Sequence, residues 1–168
     1  GATRGLATRS RNALDRWIVA RLHETIRDMT EAMDRYDVVT AGRLIPNFVD
    51  DLSTWYLRRS RERFKSGKKS DRDAALRTTS YVLRTFAQLI APFMPFLAEH
   101  IYKEVGGGLE SVHLEEWTSM ENQELGIKKQ EEILNAMTAV RAICEIGHSL
   151  RSEAGIKVRQ ALSNFQFS

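Results

Sequence analysis

Between Trp55 and Arg72 stand eight cations, Arg58, Arg59, Arg61, Arg63, Lys65, Lys68, Lys69 and Arg72, against two acids, Glu62 and Asp71. Trp55, Tyr56 and Phe64 interleave with them. Cations beside flat rings suit single-stranded or looped RNA, because guanidinium and ammonium groups neutralise phosphates while rings stack on unpaired bases. Two plainer readings stand beside that one. Trp55 and Tyr56 continue an apolar stripe from Phe48 and Leu52, which would put them in a core, and the arginines would then be a solvated face.

The other reactive residue types converge less. His23, His100, His113 and His148 are widely spaced, and none forms the His-Glu-x-x-His pattern of a zinc protease. His100 lies near an apolar face and reads as a satisfied structural histidine. Cys144 is the only cysteine, so the chain can form no internal disulfide and no Cys-rich zinc site. It falls on an apolar stripe and reads as a buried, inert thiol. Asp50 and Asp51 are adjacent carboxylates, but neighbours on a helix point about 100° apart and cannot converge like a glycosidase pair. Asp51 is better used as a partner for nearby arginines. Gly106-Gly107-Gly108 follows a helical pattern rather than a strand and lacks the Lys-Ser/Thr ending of a phosphate loop, so it reads as a helix stop. No constellation supports a small helical enzyme.

The elements that would carry these residues are helices. From Asn12, an N-cap with Asp15 at N3, the apolar positions run Leu14, Trp17, Ile18, Leu22, Ile26, Met29, Met33 and Tyr36, with Arg16, His23, Glu24, Arg27, Asp28 and Glu31 on the other face. Asp37 caps a second helix bearing Ala41, Leu44, Ile45, Phe48, Leu52, Trp55 and Tyr56 and ending near Ser66-Gly67; Pro46 should kink it or break it before Asn47. Ser70 is expected to cap a third helix, with Asp73 in a capping-box position, and its stripe is Ala75, Val82, Leu83, Phe86, Leu89 and Ile90. Ala91-Pro92-Phe93-Met94-Pro95 interrupts it, and Pro95 opens a short helix through Glu104. Residues 109–121 read as a connector, with Ser111–Leu114 extended. A last helix runs from about Asn122 to Ala154, with Ile133, Met137, Val140, Cys144 and Gly147 near one face and Gly155 as its stop. Ile156–Phe167 alternates loosely and reads as extended. The fold class is therefore an all-α helical bundle with a short extended C-terminal segment.

The 168 residues allow one domain with a real core. The hydrophobic fraction of 42% and charged fraction of 28% are those of an ordinary globular protein, and the net charge of +3 matters less than its placement. No apolar run is long enough to span a membrane. Residues 1–11 contain Arg and Ser but no acid, as transit peptides do, yet they read better as a disordered linker or an artificial chain boundary. Residues 12–155 form the helical domain, and 156–168 begin a connection to a C-terminal region.

At this point the sequence meets a family. Asn12-Ala13-Leu14-Asp15-Arg16-Trp17-Ile18 with Arg21-Leu22 resembles the helical-bundle segment of the class I synthetases for isoleucine, valine and leucine. Ala91-Pro92-Phe93-Met94-Pro95-Phe96-Leu97-Ala98-Glu99 is similar to their Ala-Pro-Phe-x-Pro-Phe-x-x-Glu turn, and Ser111–Leu114 followed by Trp117 to the segment after it. The stretch from Asp50-Asp51-Leu52-Ser53-Thr54-Trp55-Tyr56 through Arg58-Arg59-Ser60-Arg61 to Phe64 resembles the isoleucyl enzymes, in a form nearer the eukaryotic and archaeal version, and Ala154–Gln160 resembles the exit segment of that form. Lys65, Thr118 and Ala161 depart from the pattern, standing where a tryptophan and two prolines are usual. Lys65-Ser66-Gly67-Lys68-Lys69-Ser70 is only superficially similar to the family's Lys-Met-Ser-Lys-Ser loop, and it joins two helices.

The resemblance implies an anticodon-binding domain, in the cytoplasm, that grips the anticodon stem and loop of isoleucine tRNA. The parent ligase would do its chemistry elsewhere. The His-x-Gly-His and Lys-Met-Ser-Lys-Ser signatures are absent here, so no catalytic site and no cofactor belong to this segment. ATP, and zinc as an open option, would belong to the parent. Its partners would be that tRNA and the catalytic and C-terminal domains of the same chain, with no membrane. The expected RNA contacts are Arg58, Arg61, Lys65, Lys68 and Lys69, then Arg59 and Arg63. The alternative is a basic helical module that docks protein within a synthetase assembly.

Overall fold

The computed structural model describes residues 10–66, 68–118 and 127–161. Helix α1 spans Ala13–Asp34 and begins where expected, with the Asn12 side chain accepting from the Leu14 amide. It is the central helix, packing against the second, fourth and last helices. Trp17, Ile18, Leu22, Ile26 and Met29 are buried along its inner face. His23 is buried too, contrary to its expected place on the charged face, and its Nε2 lies 3.3 Å from the Tyr81 hydroxyl. Tyr36 ends the turn with a positive φ of 59°.

Helix α2 covers Val38–Asp50, capped by the Asp37 carboxylate on the Thr40 amide. Pro46 lies inside it and does not break it. The ladder then widens into a π segment over Asp51–Leu57 and returns to α geometry in α3, Arg58–Ser66. Phe48, Leu52, Tyr56 and Ser60 are all buried, at a constant step of four residues. In a pure α-helix that step drifts by about 40° each time. The wider π turns pull the phase back, so one face stays on the core. Phe48 meets Phe86 at 4.8 Å between ring centres.

Helix α4 runs Lys69–Ile90, and the stripe from Ala75 to Ile90 is buried or packed against the core as expected. Its start is not as expected. The cap residue is Lys68, with no side-chain hydrogen bond, and Ser70 lies inside the first turn. Pro95 opens helix α5, Pro95–Glu104. Gly107 follows because a side chain there would collide with the Tyr102 ring, whose nearest atom lies 1.9 Å from a Cβ built on it. Of the segment expected to be extended, only Ser111 is. Val112–Leu114 forms a 3-10 turn, pinned by Glu99, which accepts from the Ser111 hydroxyl and the Val112 amide. Lys103 and these donors hold the Glu99 carboxyl down at about 2.

The last helix, α6, spans Ile127–Glu153 and lies against α1. The start expected near Asn122 falls outside the described residues. Gly155, at φ 66°, supplies the left-handed residue that ends it. Past it the described chain turns back rather than extending, and Arg151 donates to the carbonyls of Lys157 and Gln160. The extended reading of Leu162–Phe167 lies outside the described residues. Among those described there is no strand, so the architecture is all-α.

Candidate nucleic-acid interface

Helix α3 sorts its cations by helical position. Arg58, Arg61 and Lys65, at i, i+3 and i+7, share one face, and all are exposed. Lys68, Lys69 and Arg72 follow at the start of α4, also exposed. Lys68 and Lys69 sit where the positive end of the α4 dipole disfavours a cation. No helix-stabilising reason puts them there.

Arg63 points the other way. Its NH1 and NH2 donate to Asp15 Oδ1 and Oδ2 at 2.7 and 2.9 Å, and its Nε and NH2 donate to Asp71 at 2.9 and 2.7 Å. Only 12% of its side chain is exposed and none of Asp15 is. The Tyr56 hydroxyl and the Ser10 hydroxyl donate to the same Asp15 carboxylate, at 2.9 and 2.6 Å. Asp15 raises the proton affinity of Arg63, and Arg63 in turn holds the Asp71 carboxyl below the usual range. Burial pushes the Tyr56 hydroxyl upward, with Asp15 adding to it. Arg63 therefore leaves the set of expected RNA contacts: its donors are spent inside the fold, locking the starts of α1 and α4 to α3.

Trp55 packs against the edge of the core, as expected, and is not a free stacking platform. It is half-buried, with the Arg59 guanidinium 4.1 Å and the Arg141 guanidinium 5.1 Å from its ring centre. Arg59 thus lies along the tryptophan while remaining exposed. Asp51 does pair with arginines, as expected, but with Arg21 and Arg141 rather than with the cluster. Asp50 diverges from it into solvent and accepts from Thr54.

Sequence reasoning missed the Asp15–Arg63 pair and the reach of Arg141. The first had a signal. Asp15 stands one turn before Ile18 and Val19 on the buried face of α1, and a carboxylate there needs a counter-ion. Arg141 had none, since it joins the π segment only through the packing of α6. The remaining reactive residues stay apart. His100, His113 and His148 are exposed, so the structural role expected of His100 has no burial behind it, and Cys144 is half-buried rather than buried. Among the described residues no group of His, Cys, Asp and Glu is placed to hold a metal ion, and no helix is long and apolar enough to cross a membrane.

Residues 15–166 match the family described as "Anticodon-binding domain of tRNA ligase". The isoleucine–tRNA ligase of Deinococcus radiodurans is 41% identical over 160 residues, which is 95% of this chain and 14% of that protein. That of Streptomyces coelicolor is 41% identical over 162 residues, 94% of this chain and 15% of that protein. That of Bacillus thuringiensis strain Al Hakam is 41% identical over 154 residues, 91% of this chain and 14% of that protein. These relatives are bacterial and lend no support to a specifically eukaryotic or archaeal likeness. The chain spans about one-seventh of the length of the relatives it matches.

Proposed function

This chain belongs to the anticodon-binding domain family of tRNA ligases, and we propose that it grips the anticodon stem and loop of isoleucine tRNA through the exposed face of α3 and the start of α4. Arg58, Arg61 and Lys65 meet successive phosphates along one side of α3, and Lys68 and Lys69 extend the track. Arg59 contributes a cation that lies over the Trp55 ring. Arg63 positions the helix and touches no RNA. The observation that carries this reading is the division of labour among the cations: one arginine is consumed inside the fold, and the rest face solvent together.

Phosphate contacts fix register and orientation, and base contacts read sequence. The exposed cations supply the first. Isoleucylation with ATP would belong to the rest of the parent ligase, with its catalytic and C-terminal domains as this chain's covalent partners. The test is a fluorescence titration of the protein with isoleucine tRNA and with a copy whose anticodon is swapped. Tighter binding of the authentic tRNA supports anticodon reading here. Equal binding of both leaves only backbone grip on this surface. No RNA binding at all, with retention of an acidic protein partner, would establish a protein-docking module instead.

A further inference from the structure

A cleft of about 210 Å³ opens between α1, the π segment and α6. It is smaller than the roughly 300–1,000 Å³ of sites for drug-sized ligands and suits one flat ring system. Its walls are charged but in balance. Arg21 and Glu24 come from α1, Asp51 from the π segment and Arg141 from α6. Arg21 Nε donates to Asp51 Oδ2 at 2.8 Å, Arg141 donates to Asp51 Oδ1, and Arg21 also pairs with Glu24. Each guanidinium is thus already held by a carboxylate, and the cleft has no surplus positive charge for a phosphate. Asn135 and Thr138 line it from α6 and are exposed, while Trp17 and Leu134 add apolar wall. A neutral slot with donors, acceptors and apolar surface suits an uncharged planar ligand whose edge carries both donors and acceptors. A nucleobase has that chemistry.

We propose that this cleft receives one unstacked base of the RNA loop whose backbone lies on α3. Two observations tie the cleft to that loop. The first is the π segment, a rare geometry that concentrates at functional sites. It carries both Asp51, in the cleft wall, and Trp55, beside it. The second is an unbroken line of contacts. Arg141, bound to Asp51, lies 5.1 Å from the Trp55 ring centre, and Arg59 lies 4.1 Å from the same centre. One indole therefore joins the cleft wall to the cations of α3. A loop gripped at Arg58 and Arg61 lies close to the cleft, and a base turned out of its stack is the part that enters. Inside, the Asn135 amide offers a donor and an acceptor to the base edge, and the Glu24 carboxylate accepts. Asp51 and the two arginines hold the walls in place. The inference deepens the proposed function and rests on it: α3 grips the backbone and the cleft reads a base.

The test is a binding titration with RNA hairpins carrying the anticodon stem and loop of isoleucine tRNA, one intact and a set with a single base removed at each loop position. The proteins are the wild type, Asn135→Ala and Glu24→Ala. At one loop position, removal of the base should weaken binding to the wild type about tenfold. Asn135→Ala should bind the intact hairpin about tenfold more weakly and lose nothing further when that same base is removed, because both changes delete one interaction. Its salt dependence should stay that of the wild type, since no phosphate contact is lost. A loosened fold would instead weaken every hairpin alike. Glu24→Ala should couple to the same position, and coupling at either residue supports the proposal. Variants that bind the intact hairpin as tightly as the wild type would overturn it, and so would losses that simply add at every loop position. If binding that depends on Arg58 and Arg61 persists with no coupled base, the cleft is excluded and the grip on α3 stands. Hairpins that none of the proteins binds would remove both.

Discussion

Asp15 is fully buried and takes donors from Arg63, Tyr56 and Ser10. Arg63→Ala would strand that charge, and breaking a buried pair from one side costs about 3–5 kcal/mol. Urea unfolding should show a loss of that size, whereas Arg61→Ala, on the exposed face, should change stability by about 0.5 kcal/mol or less. A small effect at position 63 would return that arginine to the RNA-facing set. His23 gives the chain a pH response. Burial lowers its pKa from 6.5 to about 4, opposed by a hydrogen bond that the ring donates to the Gln130 side chain. The unfolded chain therefore takes up the proton first as pH falls. Stability contributed by the neutral ring is intact above about 6.5, is lost progressively down to about 4, and amounts to on the order of 2–3 kcal/mol. Melting curves across that window should show the slope, and His23→Leu should flatten it. An unchanged slope would place the titrating group elsewhere. These residue-scale facts were half legible. The period of α1 gave Trp17 and Ile18 their burial, but a periodic pattern that includes a charge or an imidazole does not say which long-range partner satisfies it.

Helix boundaries were legible where a local bond makes them, as at Asn12, Asp37, Pro95 and Gly155. They were not where tertiary contact decides. Ser70 and Asp73 have the letters of a capping box, yet α4 starts two residues earlier, and Asp71 in its first turn is drawn to Arg63 across the turn. The π segment was not legible either, since the sequence read there as one continuous stripe. That geometry has a consequence for the cap. Lys68 holds the cap position without a side-chain hydrogen bond, so Lys68→Asp should stabilise the protein by about 0.5–1 kcal/mol through capping and the helix dipole. The same change removes a cation from the proposed RNA track and should weaken tRNA binding. A variant that is more stable and binds RNA no worse would show that Lys68 has no part in recognition.

For the whole molecule, the net charge of +3 conceals its asymmetry. The cations of α3 and the α4 start face solvent together, while Arg21, Arg63 and Arg141 are tied to buried or half-buried carboxylates. Composition could count the arginines of the cluster but could not tell a contact from an anchor. That distinction needed the fold. The direct test of the proposed grip is tRNA affinity against salt for the wild type, for Arg58→Glu with Arg61→Glu, and for Arg27→Glu as a control outside the cluster. If about three to five phosphates are neutralised, log affinity should fall with log salt at a slope of roughly −2 to −3.5. The double reversal should weaken binding and flatten that slope by at least about 1, and Arg27→Glu should change neither. Salt-independent binding, or equal affinity of the wild type and the Arg58/Arg61 reversal, would mean that RNA does not bind on this face of α3.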